Sequence, residues 1–147
     1  MSEKIASILN NKNSRIWSTD PEATVYDAIA LMADKAIGAL LVLSEGELVG
    51  VISERDYARK IILHGRSSKD TRVREIMTSP PITVNPEHTV DECMRIVTEH
   101  RVRHLPVLDQ DKLVGVISIG DLVNAIIEAQ AHTIHQLHTY IAGTYPG

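Results

Sequence analysis

Phenylalanine is absent from this chain of 147 residues, and tryptophan and cysteine each occur once. With aromatics at 3% and hydrophobic residues at 44%, the core has to be aliphatic, built from Val, Ile, Leu and Ala as in α/β layers. A lone cysteine, Cys93, excludes an internal disulfide and fits a reducing, cytoplasmic setting. Cys93 shares a helical face with Val90, Met94 and Val97, so burial is the expected role rather than reactivity. No apolar run reaches the roughly 18 residues of a membrane span. The opening Met1-Ser-Glu-Lys-Ile5 lacks the charged start and apolar core of a secretory signal. Net positive charge is missing as well: at −4, the whole-molecule field does not favour nucleic acid, although a small local basic pocket is compatible with it.

What the chain does have is a statement made nearly twice. Residues Pro21 to Tyr57 align without a gap to Pro86 to Leu122 at a constant offset of 65, with 14 identities in 37 positions. The copies end on Leu48-Val-Gly-Val-Ile-Ser-Glu-Arg-Asp56 and Leu113-Val-Gly-Val-Ile-Ser-Ile-Gly-Asp121. Two copies fall short of a solenoid. They predict two similar half-domains packed as a pseudo-twofold pair, with two similar sites.

Each copy opens with a helix start. Thr24-Val-Tyr-Asp27 and Thr89-Val-Asp-Glu92 read as capping boxes. Val25, Ala28, Ile29, Met32 and Val90, Cys93, Met94, Val97 follow at i, i+3, i+4, i+7, the spacing of an amphipathic helix. Ala39 to Leu43 and Leu105 to Leu108 read as strands. Four-residue polar loops, Ser44 to Glu47 and Asp109 to Lys112, join them to a second strand pair in a hairpin. A second helix starts at Ser53 and at Ser118. With Ile82-Thr-Val84 as a short first strand, the order in each copy is strand, helix, strand, strand, helix. The expected division is 1–67 for an N-terminal helix plus the first copy, 68–130 for the second, and 131–147 for a C-terminal helical tail.

The paired Gly-Val-Ile-Ser-x-x-Asp carries the sharpest chemistry. A buried strand ends where a helix begins, and a helix start offers backbone N–H groups to a phosphate. The Ser hydroxyl adds a donor. The Asp three residues on can accept hydrogen bonds from both hydroxyls of a ribose. Ser-x-x-Asp is equally a capping box that needs no ligand, and both readings stand at this point.

The surrounding pattern resembles the CBS domain, and the chain is similar to a stand-alone CBS pair. The resemblance rests on Ile76-Met-Thr78, Ile82-Thr-Val84, Pro86, the helix from Val90, Arg103-His-Leu-Pro-Val107 and the Asp121 signature. Its first-copy counterparts are the helix from Val25, Ile37-Gly-Ala-Leu40 and the Asp56 signature. It implies an α/β fold of tandem CBS domains about a pseudo-twofold axis, with two clefts for adenine nucleotides. One cleft would use Ser18, Gly38, Ala39, Ser53 and Asp56. The other would use Thr83, His104, Leu105, Pro106, Ser118 and Asp121. Arg55 can reach a phosphate, but Gly120 stands at its place in the second copy, and Ala39 and Leu41 replace His104 and Pro106. The two clefts are therefore expected to be unequal, with AMP in one and a polyphosphate such as ATP, or NAD(H), in the other.

Several residues have two readings. Arg101, Arg103 and His104 either line a phosphate channel or form a solvated edge. Trp17 either stacks on a base or packs. His132, His135 and His138 recur on the last helix, where a polar face is favoured over a metal site because no further ligand completes a set. The family commonly forms flat dimers, and Ile126, Ile127, Ile134, Leu137 and Ile141 are the expected contact of a homodimer. No nucleophile, base and orienter appear together, so a sensor signalling to a protein partner is expected rather than an enzyme, with no catalytic cofactor. The alternatives are a docking protein without a nucleotide, or a sensor of another adenosyl ligand such as S-adenosylmethionine.

Overall fold

The structure, a computed structural model, describes residues 3–11 and 16–139. The first repeat contains β1 (Ser18–Thr19), α2 (Val25–Lys35), β2 (Ala39–Ser44), β3 (Glu47–Ser53) and α3 (Glu54–Tyr57), after which a π-helical turn runs over Ala58–Ile62. A short α4 (Val73–Ile76) lies in the connector. The second repeat contains α5 (Val90–His100), β4 (His104–Asp109), β5 (Lys112–Ser118) and α6 (Ile119–Thr139), and α1 (Ile5–Asn11) precedes everything.

The helix starts form as their spacing requires. Thr24 Oγ1 accepts from Asp27 N–H and Thr89 Oγ1 from Glu92 N–H, each at 3.1 Å. In the second box Glu92 also accepts from Thr89 N–H at 2.9 Å. Both helices end in the left-handed region, at Ala36 and at Arg101, each with φ 55°. These two residues are 65 apart in sequence, so the copies share even their C-caps.

The hairpins close more tightly than the four-residue loops expected. Ser44 pairs with Glu47 and Asp109 with Lys112, which leaves Glu45-Gly46 and Gln110-Asp111 as two-residue turns. All four have positive φ, as a hairpin turn matched to strand twist demands.

The second copy lacks its predicted first strand. In the first copy β1 runs parallel to β2, pairing Ser18 with Leu41 and Thr19 with Val42. In the second only the bridge Val84 to Val107 survives, at the same register. The cause is one residue. Leu41 N–H donates to Trp17 O at 3.3 Å. Pro106 stands at the equivalent of Leu41 and has no N–H to donate.

The division into 1–67 and 68–130 does not coincide with the two cores. Ile5 of α1 is buried in the second core with Val90, Cys93, Leu105 and Ile117. Val73 and Ile76 of α4 are buried in the first core with Val25, Leu40 and Ile52. The backbone repeats the same arrangement in both. Val73 N–H donates to Ala23 O and Ile5 N–H to His88 O, both at 2.9 Å, and Val25 N–H donates to Thr71 O as Val90 N–H does to Glu3 O, again at 2.9 Å. Each repeat is thus closed by a helix from outside its own contiguous stretch, and the N-terminal arm crosses to the far repeat.

The glycine of each signature makes room for those arms. A Cβ at Gly115 would lie 2.6 Å from Leu9 Cδ2, and one at Gly50 would lie 2.7 Å from Met77 Sδ and 2.9 Å from Thr78 O.

α6 runs without a break through residue 131, so the expected tail is the continuation of a repeat helix as far as Thr139. Leu122 and Ala125 enter the second core and Ile126 packs against it. Ile127, Ile134 and Leu137 are more than half exposed. Ile141 lies outside the described residues.

Candidate functional site

Both Ser-x-x-Asp motifs are capping boxes. Asp56 Oδ2 accepts from Ser53 N–H at 3.0 Å and from Ser53 Oγ at 3.1 Å, while Ser53 Oγ accepts from Asp56 N–H at 3.1 Å. Asp121 Oδ2 accepts from Ser118 N–H at 2.8 Å, and Ser118 Oγ from Asp121 N–H at 3.1 Å. Glu54 N–H is spent on Gly38 O at 3.0 Å and Ile119 N–H on Arg103 O at 2.8 Å. The first N–H groups of both helices are therefore largely consumed inside the chain. A phosphate here has to be gripped mainly by side chains.

The cap does not exhaust Asp56. Its other oxygen, Oδ1, lies 3.4 Å from Lys60 Nζ and makes a long 3.5 Å contact with Thr78 Oγ1. This carboxylate is half-buried and faces a cavity of about 920 Å³ between the repeats. Ser53, Arg55 and Asp56 of the first repeat line it, with Thr78 and Ile82 of the connector and Arg101, Arg103 and His104 of the second repeat.

A second cavity, of about 490 Å³, is lined by Trp17, Lys35, Gly38 and Ala39 of the first repeat and Gly115 and Ser118 of the second. Gly38 and His104 border both cavities. They meet between them, since a Cβ at Gly38 would lie 3.7 Å from His104 Cε1.

This overlaps the expected grouping only in part. Ser53 and Asp56 share a cavity with Arg101, Arg103 and His104, while Ser118 shares one with Gly38 and Ala39. Each signature thus meets the opposite repeat's helix-to-strand corner as well as one residue of its own, Gly38 beside Ser53 and His104 beside Ser118. Five predicted residues line neither cavity. Leu105 is fully buried in the second core, as alternation along β4 requires, and Pro106 is buried beside it. Thr83 is half-buried next to Ile82, and Ser18 is exposed on β1. Asp121 keeps its cap and is half-buried, but it is not on the wall of the smaller cavity.

The basic lining is unequal. Arg55 Nη1 donates to Arg101 O at 3.0 Å, bridging the repeats. Gly120 has no counterpart to this bond. Arg59, Lys60 and His100 also line the larger cavity and were not singled out by the repeat comparison. Their equivalents at the offset of 65 are Asn124, Ala125 and Lys35, so the alignment hides two of the three. Arg55 and Arg59 at i, i+4 were the available signal. In the smaller cavity Lys35 Nζ sits 4.5 Å from the Trp17 ring centroid, a cation–π contact that also packs Trp17 against the first core.

The other candidates stay quiet. Cys93 is buried, and burial, with the Glu92 charge adding to it, pushes its thiol up to about 11. His132, His135 and His138 are exposed on α6, and among the described residues no cluster of three His, Cys, Asp or Glu could hold a metal ion. No helix among the described residues is long and apolar enough to cross a membrane.

Comparison with known proteins agrees with this architecture. The family model for the CBS domain matches residues 6–63 and 73–128. A mitochondrial CBS domain-containing protein of Arabidopsis thaliana is 42% identical over 98% of this chain and 74% of its own length. A solved protein with CBS domains from Burkholderia ambifaria is 53% identical, with a TM-score of 0.84 over 87% of this chain and 96% of that one. A hexameric CBS-CP12 protein from bloom-forming cyanobacteria is 28% identical, with a TM-score of 0.75 over 99% of this chain and 88% of that one.

Proposed function

The chain belongs to the CBS-domain family, and from that premise we propose that it is a ligand-sensing module which binds adenosine nucleotides in the two clefts between its repeats. CBS pairs are regulatory or structural units rather than catalysts, and adenosine ligands are general to them. The observation that carries the reading here is the Asp56 carboxylate. One oxygen is fixed in a cap, the other contacts Lys60 and Thr78, and the residue lines a cavity that arginines of the opposite repeat also line. A ribose on Asp56 would leave its phosphates among those cations. AMP, ADP, ATP, NAD(H) and S-adenosylmethionine all present the same ribose.

Drawing the repeats together around a ligand changes their relative placement and so the surface offered to a protein partner. That coupling requires the two placements to differ in ligand affinity. Self-association through α6 is part of the proposal. Ile127, Ile134 and Leu137 are exposed there, and a homodimer is the simplest closed assembly.

Calorimetric titration of ligand-stripped protein with the adenosine panel tests the proposal. A hydrogen bond to a charged group contributes about 1.5–3 kcal/mol. Replacing Asp56 and Asp121 together by Ala should weaken binding at least about tenfold, with the fold checked by circular dichroism. A parent protein that gives no heat with any member of the panel supports the docking-protein reading instead.

A further inference from the structure

We infer that the larger cavity is built for a chain of two or more phosphates rather than for a single phosphate group, and that Arg59 and Lys60 of the π-turn are specificity residues for that chain. The inference rests on the reading of this cavity as a ligand site and names the class of ligand it takes.

The lining carries five Arg and Lys side chains against two carboxylates, Glu54 and Asp56, a net charge of +3 with His100 and His104 neutral. The whole molecule is at −4. Positive charge is thus concentrated in one concavity of an acidic protein, where the field is focused. Like charges crowded together repel, and a multiply charged anion relieves that cost. One phosphate monoester brings about −1.5 to −2. It would leave the cavity positive, whereas a di- or triphosphate would neutralise it.

The charges come from separate elements. Arg55, Arg59 and Lys60 come from α3 and the π-turn, and Arg101 and Arg103 from the corner between α5 and β4. Among the described residues no carboxylate pairs with Arg59, Arg101 or Arg103. Facing arginines can clamp successive phosphates by bidentate bonds.

The π-turn is what brings Lys60 to the cavity. In α6, a regular α-helix, the equivalent Ala125 lies in the second core with Ile126 packed beside it. In the first repeat Ile61 is 2% exposed in the core, while Lys60 lies outside that core, 3.4 Å from Asp56 Oδ1 and with Nζ donating to Ile76 O at 2.8 Å. A wider turn rotates one residue off the buried face, and such turns recur at functional sites. The smaller cavity has only Lys35 among Arg and Lys, already over Trp17.

The test is calorimetry on the full chain at one fixed ionic strength, using sodium tripolyphosphate, orthophosphate and AMP as separate probes. Tripolyphosphate should bind once per chain and at least about tenfold more tightly than orthophosphate. Arg59→Gln, which breaks no hydrogen bond or ion pair among the described residues, and Arg59→Gln combined with Lys60→Gln should each weaken tripolyphosphate, the double variant at least about tenfold. Tripolyphosphate binding no tighter than orthophosphate, or unchanged in both variants, overturns the inference and marks these side chains as a solvated edge. The AMP arm separates the two claims. AMP binding without tripolyphosphate binding keeps the nucleotide reading and sinks this one. Tripolyphosphate binding when AMP gives no heat does the reverse.

Discussion

The Arg55 guanidinium reaches from α3 to donate to Arg101 O at 3.0 Å, across the boundary between the two repeats. The carbonyl belongs to a residue held at φ 55° in the left-handed cap of α5. The second repeat has Gly120 at the Arg55 position, so it has no side chain to make the matching bond. Arg55→Ala should lower unfolding stability by about 0.5–1.5 kcal/mol. Gly120→Arg should leave stability within about 0.5 kcal/mol, because Gly120 is exposed on the surface. Urea unfolding curves of both variants check this. Equal losses would contradict this asymmetry.

The two signature glycines should differ in how they tolerate a methyl group. At Gly50 an added Cβ meets Thr78 O, a backbone atom already in a bridge with Val51, as well as Met77 Sδ. At Gly115 it meets only Leu9, and the nearest atom is the movable tip of that side chain. Gly50→Ala should cost about 1–3 kcal/mol and Gly115→Ala less. Leu9→Ala in the Gly115→Ala background should recover part of the loss. Thermal melts of the three proteins decide it.

Cys93 should resist alkylation in the native protein at neutral pH, because its thiol is pushed from about 9.0 up to about 11 and thiolate is scarce. The sign of the pH effect follows. The folded value is raised, so the contribution to stability is fully present below about 9 and is lost as pH rises through about 11. Iodoacetamide labelling followed by mass spectrometry should show modification only under denaturing conditions. Fast labelling of the native chain would place Cys93 outside the core.

Acid should act through the cap of α5. The backbone N–H of Thr89 holds the Glu92 carboxyl below its ordinary 4.5, with the Thr89 side chain adding to it. A lowered folded value means stability present above 4.5 and lost as pH falls through the lowered value. Thr89→Ala should cost about 1 kcal/mol at neutral pH, and, because it removes the side-chain contribution but keeps the backbone N–H, it should weaken the dependence below pH 4.5 only in part, read from unfolding midpoints against pH.

The repeat, the helix caps and the hairpins were legible because they depend on local spacing and on an alignment within the chain. Three features were not. The missing strand near Val84 follows from Pro106, whose effect appears only once Leu41 N–H is seen to be the bond that extends β1. The crossing of Ile5 to the second core is a tertiary docking choice that no periodicity encodes. Arg59 and Lys60 were hidden because the repeat comparison favours what the copies share, and these residues are what they do not share. Leu105 and Pro106 were carried over from a resemblance in which backbone position matters, and in this chain both side chains are buried.

A crystal structure of the protein with saturating ATP tests the central claim most directly. The account requires ATP in the larger cavity, its ribose on Asp56 Oδ1 and its phosphates toward Arg59, Arg101 and Arg103. An empty larger cavity, or ATP bound only at another surface with the Asp56 cap and its Lys60 contact unchanged, would contradict it.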